Sequence, residues 1–422
     1  MLLQGLKVVD FTAYIAGPGA ACILGDWGAD VIKVERPGGD SMRHIFADLK
    51  TDLGANPTFD LDNRGKRGVV LDISKPEGRE ALAKLAEQAD VFLTNVRPAS
   101  LRRAGLDDET LRAANPRLVY AVITGYGLEG PEAHKPGFDV TAFWARAGVA
   151  NMTAPKGMDP FLLRSGVGDH TTSLATVSAI LAALYERERT GVGRLVQTSL
   201  LATGIYVMSS DLAVQLKFGR LASARTRDNP INALANFYKS ADGRWFVHNP
   251  RGPGGGWEAF CEAAGRPDLI ADERFATGKA RRENAKALTE AFDEGFGALP
   301  FDEIARRLDA ADLVWAPVQT PAEVAADPQA AAAGAFLEIE DGQGGTYRSV
   351  AAPARFPGAD AERRPPAPAL GQHTREVLAE LGYGEAQIEA MLQAGAAAQG
   401  PVTAPRWGPA GPPARRRADR RR

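Results

Sequence analysis

The 422 residues carry a formal charge of −2, with 45% apolar and 24% charged side chains, an ordinary balance for a globular chain. Bulk charge therefore points to neither nucleic acid nor an acidic membrane surface as a partner. Two distant cysteines, Cys22 and Cys261, exclude a disulfide scaffold or a cysteine-rich zinc site and fit a reducing cytoplasm.

Met1–Gly5 lacks the basic start of a secretory signal, and no apolar run reaches the roughly 18–20 residues that span a bilayer. A cytoplasmic protein is expected. Lys7–Phe11 reads as a short apolar strand, and a glycine-broken loop at Ala16–Ala20 leads into a helix ending near Trp27. Asp30–Glu35 is a second strand. Residues 37–66, rich in Gly, Asp and Asn, read as irregular and long enough for a ligand-facing loop. Strands follow at Gly68–Asp72, Asp90–Asn95 and Leu118–Thr124, with a helix at Lys75–Gln88 that places Pro76 in its first turn. Short strands alternating with helices predict βαβ units around a mostly parallel sheet, with ligands beyond the carboxyl ends of the strands. The loops at Tyr14–Gly19, Glu35–Gly39, Asn95–Pro98 and Thr124–Gly127 should then share one rim.

Apolar residues Leu174, Val177, Leu181 and Leu184 recur at helical spacing and predict a long helix over 171–187. Arg194–Ser199 is a sixth strand, with a helix of about 18 residues after it, to Phe218. The pattern then changes. A hairpin is expected at Asn236–Asn249, helices near Trp257–Ala264, Asn284–Phe296 and Phe301–Ala310, and a second hairpin turning at Asp341–Gly345. A Pro/Ala connector spans 351–369, and helices near Thr374–Leu381 and Glu385–Ala394 close the folded part. The expected architecture is α/β: a large Rossmann-like domain with a mostly parallel sheet (1–224), a smaller α+β domain (225–325), a connector returning to the large domain (326–396) and a disordered tail (397–422). The stretch 398–422 holds seven Arg against one Asp, which leaves −8 on residues 1–397.

Asp169, in Ser165-Gly-Val-Gly-Asp-His-Thr-Thr-Ser173, precedes the long helical run. It fits two readings: an N-cap that accepts from Thr171 and Thr172, or a carboxylate facing a ligand beside two close-approach glycines. Gly17-Pro-Gly-Ala-Ala-Cys22 nearly matches GxGxxG, and Glu35 ends the second strand. Together they support an NAD(P)-dependent oxidoreductase as an alternative. Pro18 and Cys22 weaken it. P-loop and nucleophile-elbow motifs are absent, and the five histidines lack metal-ligand spacing, so no metal is expected. Arg251–Gly256 fits a mobile lid or a plain surface loop.

The order of these segments resembles the family III CoA transferases, whose relatives include alpha-methylacyl-CoA racemase. The signposts include VVDFTAYIAGP (8–18), GADVIKVERPGGD (28–40), NRGKRGVVLDISKPEG (63–78), ADVFLTNVRPASLRRAG (89–105) and GVGDHTT (166–172). The resemblance implies Asp169 as the nucleophile, passing through an aspartyl mixed anhydride and an aspartyl-CoA thioester. It implies that Ile15, Ala16, Arg36, Leu71, Asn95, Val96, Arg97, Arg103, Phe138 and Asp139 line the coenzyme A site. CoA and acyl-CoA enter as substrates, with no resident cofactor. It further implies a ring-shaped chain in an interlocked homodimer, with a small carboxylic acid as the other substrate and neither nucleic acid nor membrane as a partner. Racemases of the group carry a His in a GHD motif. Gly137-Phe138-Asp139 stands here, which favours transfer over racemisation. Ile15 replaces a Gln of formyl-CoA transferase, and 227–234 lacks that enzyme's glycine lid, which leaves Gly252–Gly256 as a candidate substitute. His170, beside Asp169, is expected to be non-catalytic.

Overall fold

A computed structural model describes residues 1–48, 56–252, 255–341, 344–358 and 363–400. They fall into two units. The first comprises Met1–Val149, Leu162–Lys217 and the chain from Ala331; the second comprises Ala150–Phe161 and Phe218–Ala330.

The first unit is built on a sheet of β1 (Lys7–Phe11), β2 (Asp30–Glu35), β3 (Arg67–Leu71), β4 (Val91–Thr94), β5 (Val119–Thr124) and β6 (Leu195–Ser199), all parallel, in the order β3-β2-β1-β4-β5-β6. These strands are almost continuously apolar because helices cover both faces. Val9, Ile32, Phe92 and Leu71 pack on one face with Leu82, Leu378 and Ile388. Val8, Val31, Val91 and Ala121 pack on the other with Ala20, Leu24, Val177 and Ile180. Parallel pairing sends every loop that follows a strand to one edge of the sheet, so the four rim loops do share it.

Three expectations change. The stretch 37–66 is not irregular throughout: it contains a 3-10 turn at Ser41–His44 and helices at Ile45–Asp48 and Pro57–Asn63, while 49–55 lie outside the described residues. The Pro57 helix starts where Asn56 accepts from the Phe59 N–H at 3.0 Å and Pro57 fixes the first helical φ. The helix expected to reach Phe218 is two helices, Leu200–Val207 and Ser209–Phe218, separated at Met208 where ψ turns to 19°. Ala397 and Ala398, expected to belong to a disordered tail, are part of the fold. Ala397 and Ala398 form a strand antiparallel to β3, opposite Leu71 and Val70, with Ala397 buried. Small side chains fit that edge, and residues 401–422 lie outside the described set.

The first unit also holds a three-stranded sheet of Phe336–Glu340, Thr346–Val350 and Arg363–Arg364. Part of its hairpin turn, 342–343, lies outside the described residues. The second unit packs the hairpin Asn236–Lys239 and Trp245–His248 and the strand Trp315–Pro317 over an aromatic core of Tyr238, Phe246, Phe260, Phe292 and Phe296. Gly256, with φ +78°, opens its Trp257–Ala263 helix; Pro253 and Gly254 of the candidate lid lie outside the described residues.

Beneath the rim, charges are buried inside the first unit. Lys66 Nζ donates to Asp10 Oδ2 at 2.7 Å, to the Pro18 carbonyl at 2.9 Å and to Asn63 Oδ1 at 3.0 Å. Lys33 Nζ donates to Asp40 Oδ2 at 3.1 Å and to the Thr12 carbonyl at 3.2 Å. Burial alone would raise the Asp10 pKa; Lys66 and Lys33 overcome it and hold the carboxyl below its ordinary value. Removing one partner strands a charge. Lys66→Ala is expected to cost about 3–5 kcal/mol, read as a lowered midpoint in urea unfolding. An unchanged midpoint would show that the network contributes no stability.

Candidate active site

The site is assembled from the turn after β1, the Pro57–Asn63 helix, the segment entering the Asp139–Arg146 π-helix, and the first turn of the Val167–Thr190 helix. The turn after β1 is pinned from several directions. Asn95, just past β4, accepts from the Ala13 N–H at 3.0 Å and donates to the Ala13 carbonyl at 2.7 Å. Asp40 Oδ1 accepts from the Tyr14 N–H at 3.1 Å. Tyr14 sits at φ +68°, a left-handed conformation costing roughly 1–2 kcal/mol for a non-glycine residue. These bonds hold it there. A methyl on Gly17 would lie 2.5 Å from the Thr12 side chain, which explains the glycine at the helix start.

The Val167–Thr190 helix begins earlier than its apolar spacing suggests. Gly166, at φ +92°, is the N-cap, and the His170 N–H donates to its carbonyl at 2.8 Å. Asp169 is therefore the third residue of the helix, not its cap. Thr171 and Thr172, expected to donate to it through their N–H groups, instead turn their hydroxyls back to the Val167 and Gly168 carbonyls. The second glycine, Gly168, is a packing residue: a methyl there would lie 2.7 Å from the Phe143 ring. The entry is tied down by Asp139, whose Oδ2 accepts from the Gly166 N–H at 2.9 Å.

The Asp169 carboxylate is half-buried and has no hydrogen bond or ion pair among the described residues. Burial, then the charge of Asp139, push its pKa up to about 7; His170 pulls the other way. His170 Nε2 lies 3.0 Å from Oδ1 of Asp62, whose side chain is only 6% exposed. Ser173, one turn on, donates to the Ala16 carbonyl at 2.7 Å and so fixes the helix against the Ala16–Asp26 helix. An unpaired carboxylate at a helix start, in a partly desolvated setting, suits nucleophilic attack on an activated carbonyl.

The other expected site residues are distributed unevenly. Ile15 lies near Gly166, where a methyl would be 3.7 Å from its Cδ1. Ala16 is buried at the start of its helix. Phe138 is 53% exposed and meets Tyr14 edge-on at 5.2 Å between ring centres. Arg36, Arg97 and Arg103 are exposed; Arg36 contacts the Gly39 carbonyl and Arg103 contacts Ser100. Val96 is half-buried and packs against the core. Leu71 is a fully buried core side chain at the carboxyl end of β3 and offers a ligand only backbone. Asp62 and the anchoring role of Asp139 were missed from sequence. Only the local run DLDN hinted at the first.

The oxidoreductase alternative loses its acid. Glu35 is buried, and its carboxylate is occupied by Arg43 at 2.6 and 2.8 Å and by the Asp40 N–H at 2.9 Å, so it has no free face for a ribose. Gly17 and Gly19 are filled from the protein side, by Thr12 and by Ser173 with Asp62.

The sequence matches CoA-transferase family III over residues 3–374. It is 36% identical to the (R)-2-hydroxy-4-methylpentanoate CoA-transferase of Clostridioides difficile, over 92% of this chain and 97% of that enzyme. It is 34% identical to the cinnamoyl-CoA:phenyllactate CoA-transferase of Clostridium sporogenes, over 92% and 95%. The fold superposes with a TM-score of 0.80 on a CAIB/BAIF family protein from Brucella suis, 33% identical, covering 90% of this chain and 99% of that one. The chain belongs to the family III CoA transferases and is a CoA transferase. No described helix is long and apolar enough to cross a membrane.

Proposed function

We propose that this enzyme moves CoA from an acyl-CoA to a free carboxylic acid with Asp169 as the covalent carrier. The observation that carries the reading is the unpaired, half-buried Asp169 carboxylate on the rim of the parallel sheet. An Asp169 oxygen attacks the donor thioester carbonyl, giving a mixed anhydride and CoA thiolate. The thiolate attacks the aspartyl carbonyl, giving an aspartyl-CoA thioester and releasing the donor acid as its carboxylate. The acceptor carboxylate attacks this thioester, forming a second anhydride and thiolate. Attack of that thiolate on the new acyl carbonyl yields the product thioester and regenerates Asp169. No proton is gained or lost in any step. The N–H groups of Val167, Gly168 and Asp169 lack intrahelical partners, as in any first turn, and supply donors for the oxyanions.

For the cofactor side, we propose that Ala16 and the segment around Asn95–Arg97 flank CoA, with Arg36, Arg97 and Arg103 as exposed cations for its phosphates. On the acyl side, Tyr14, Ile15, Phe138 and Val167 present apolar surface; Tyr14, Phe138 and Val167 are 43–53% exposed. This favours a branched or aromatic acid over oxalate. The two relatives named for 2-hydroxy-4-methylpentanoate and phenyllactate agree with such a preference. Racemisation is disfavoured because Phe138 stands where a second proton carrier would be needed.

A homodimer is also proposed. The Ser209–Phe218 helix buries none of its residues within its own chain, and Tyr206 and Leu216 are 78% and 85% exposed. Sedimentation should give twice the chain mass; a monomer at micromolar concentration would contradict this.

Asp169→Asn should lower transfer by roughly three orders of magnitude or more while CoA still binds. The test is exchange of labelled acid into acyl-CoA beside calorimetric CoA binding. Near wild-type exchange in this variant would remove Asp169 from the mechanism.

A further inference from the structure

We propose that the Asp62–His170 pair is a fixed counter-charge for the nucleophile, an imidazolium held beside Asp169 so that this carboxylate stays ionised among neighbouring acids. The proposal rests on the reading of Asp169 as the covalent carrier. It makes His170 a positioning residue that acts through Asp169.

The geometry is specific. His170 follows Asp169 on the Val167–Thr190 helix, and its Nε2 reaches Asp62 Oδ1 at 3.0 Å across to the Pro57–Asn63 helix. Asp62 is buried and His170 half-exposed, so the carboxylate is fixed while part of the ring stays accessible. The approach is tight. A methyl on Gly19 would lie 2.9 Å from Ser173 Oγ, 3.2 Å from Asp62 Oδ1 and 3.5 Å from the His170 ring. At Gly166 a methyl would lie 3.3 Å from His170 Nδ1. Glycines at both places let the ring lie between the two helices.

The charges require such a cation. Asp139, on the Asp139–Arg146 helix, and Asp62, on the Pro57–Asn63 helix, both carry negative charge that raises the Asp169 pKa. The Ala16–Asp26 helix carries two titratable groups: Cys22, a thiol pushed up to about 12 by burial and thus neutral, and Asp26, which is paired with Arg64. His170 is the group that opposes these acids at Asp169. Its hydrogen bond to Asp62 raises its own pKa, with smaller help from the charges of Asp62 and Asp169 and from the Gly166 backbone. Every covalent step described above keeps the site anionic. A standing positive charge therefore serves throughout the cycle without being consumed.

The test is the pH dependence of kcat/KM in wild type, His170→Gln, His170→Lys, Asp62→Asn and Asp169→Asn, with melting curves for each. The wild-type profile should rise through a midpoint near 7 on the acid side, where Asp169 ionises, and fall where His170 loses its proton. His170→Gln should move the acid midpoint up by about one unit, roughly tenfold less activity below it, and abolish the alkaline fall. A lysine should restore the acid midpoint. Asp62→Asn should move the alkaline fall to lower pH. A midpoint does not depend on the fraction of enzyme folded, so partial misfolding does not obscure these shifts. Identical acid midpoints in wild type and His170→Gln, with Asp169→Asn inactive, would overturn this proposal and leave the nucleophile in place. Full activity in Asp169→Asn would instead overturn the reading beneath it.

Discussion

Asp10, at the end of the central strand, is a carboxylate without access to solvent, and its neutralisation by Lys66 and Lys33 shapes the site above it. Neither lysine is used up by Asp10. Lys66 also grips the Pro18 carbonyl and Asn63, and Lys33 grips the Thr12 carbonyl and Asp40. Asp40 in turn accepts from Tyr14 and Met42. The turn from β1 into the first helix is thus held by charges on β1, on β2 and on the segments beside β2 and β3. A left-handed tyrosine is tolerated there because the turn is over-determined. A buried ion pair is a weak source of net stability, yet it is costly to break. Its value here is to fix the backbone that the proposed mechanism sets against a thioester.

Above that base the site has a charge problem. Under the proposed mechanism a carboxylate nucleophile, two neighbouring carboxylates, an acid substrate and a thiolate share a partly desolvated space. Burial favours the neutral form of Asp169, whereas the proposed attack needs the ionised form. Ionisation at neutral pH is therefore poised, and a small change in local charge alters the reactive fraction. Asp139 adds to the repulsion, but it also anchors Gly166, which gives an acid at that position a structural reason.

Much of this was legible in the sequence. Apolar runs of five to seven residues located every strand of the parallel sheet to within a residue. The rule that ligands lie beyond strand ends placed the turn after β1, Asn95 and the Gly125 region on one rim. Asp169 stood out through its glycines and its position before a helical run. What the pattern hid was long-range. Nothing local shows that Asp62 would pair with His170, or that Gly168 is small because Phe143 presses on it. The helix start was misplaced because Gly166 can open a helix without a side-chain cap, whereas spacing registers only apolar residues. Leu71 and Ala397 show the same limit: strand pairing across more than 300 residues decides their burial.

The central claim is that one side chain carries both the acyl group and CoA. Incubation with an acyl-CoA alone, rapid acid quench and peptide mapping by mass spectrometry test it most directly. The account predicts CoA mass on the peptide bearing Asp169, removed when a carboxylic acid acceptor is added and absent from Asp169→Asn. Turnover with no covalent adduct on any peptide, or an adduct on a different residue, would contradict it.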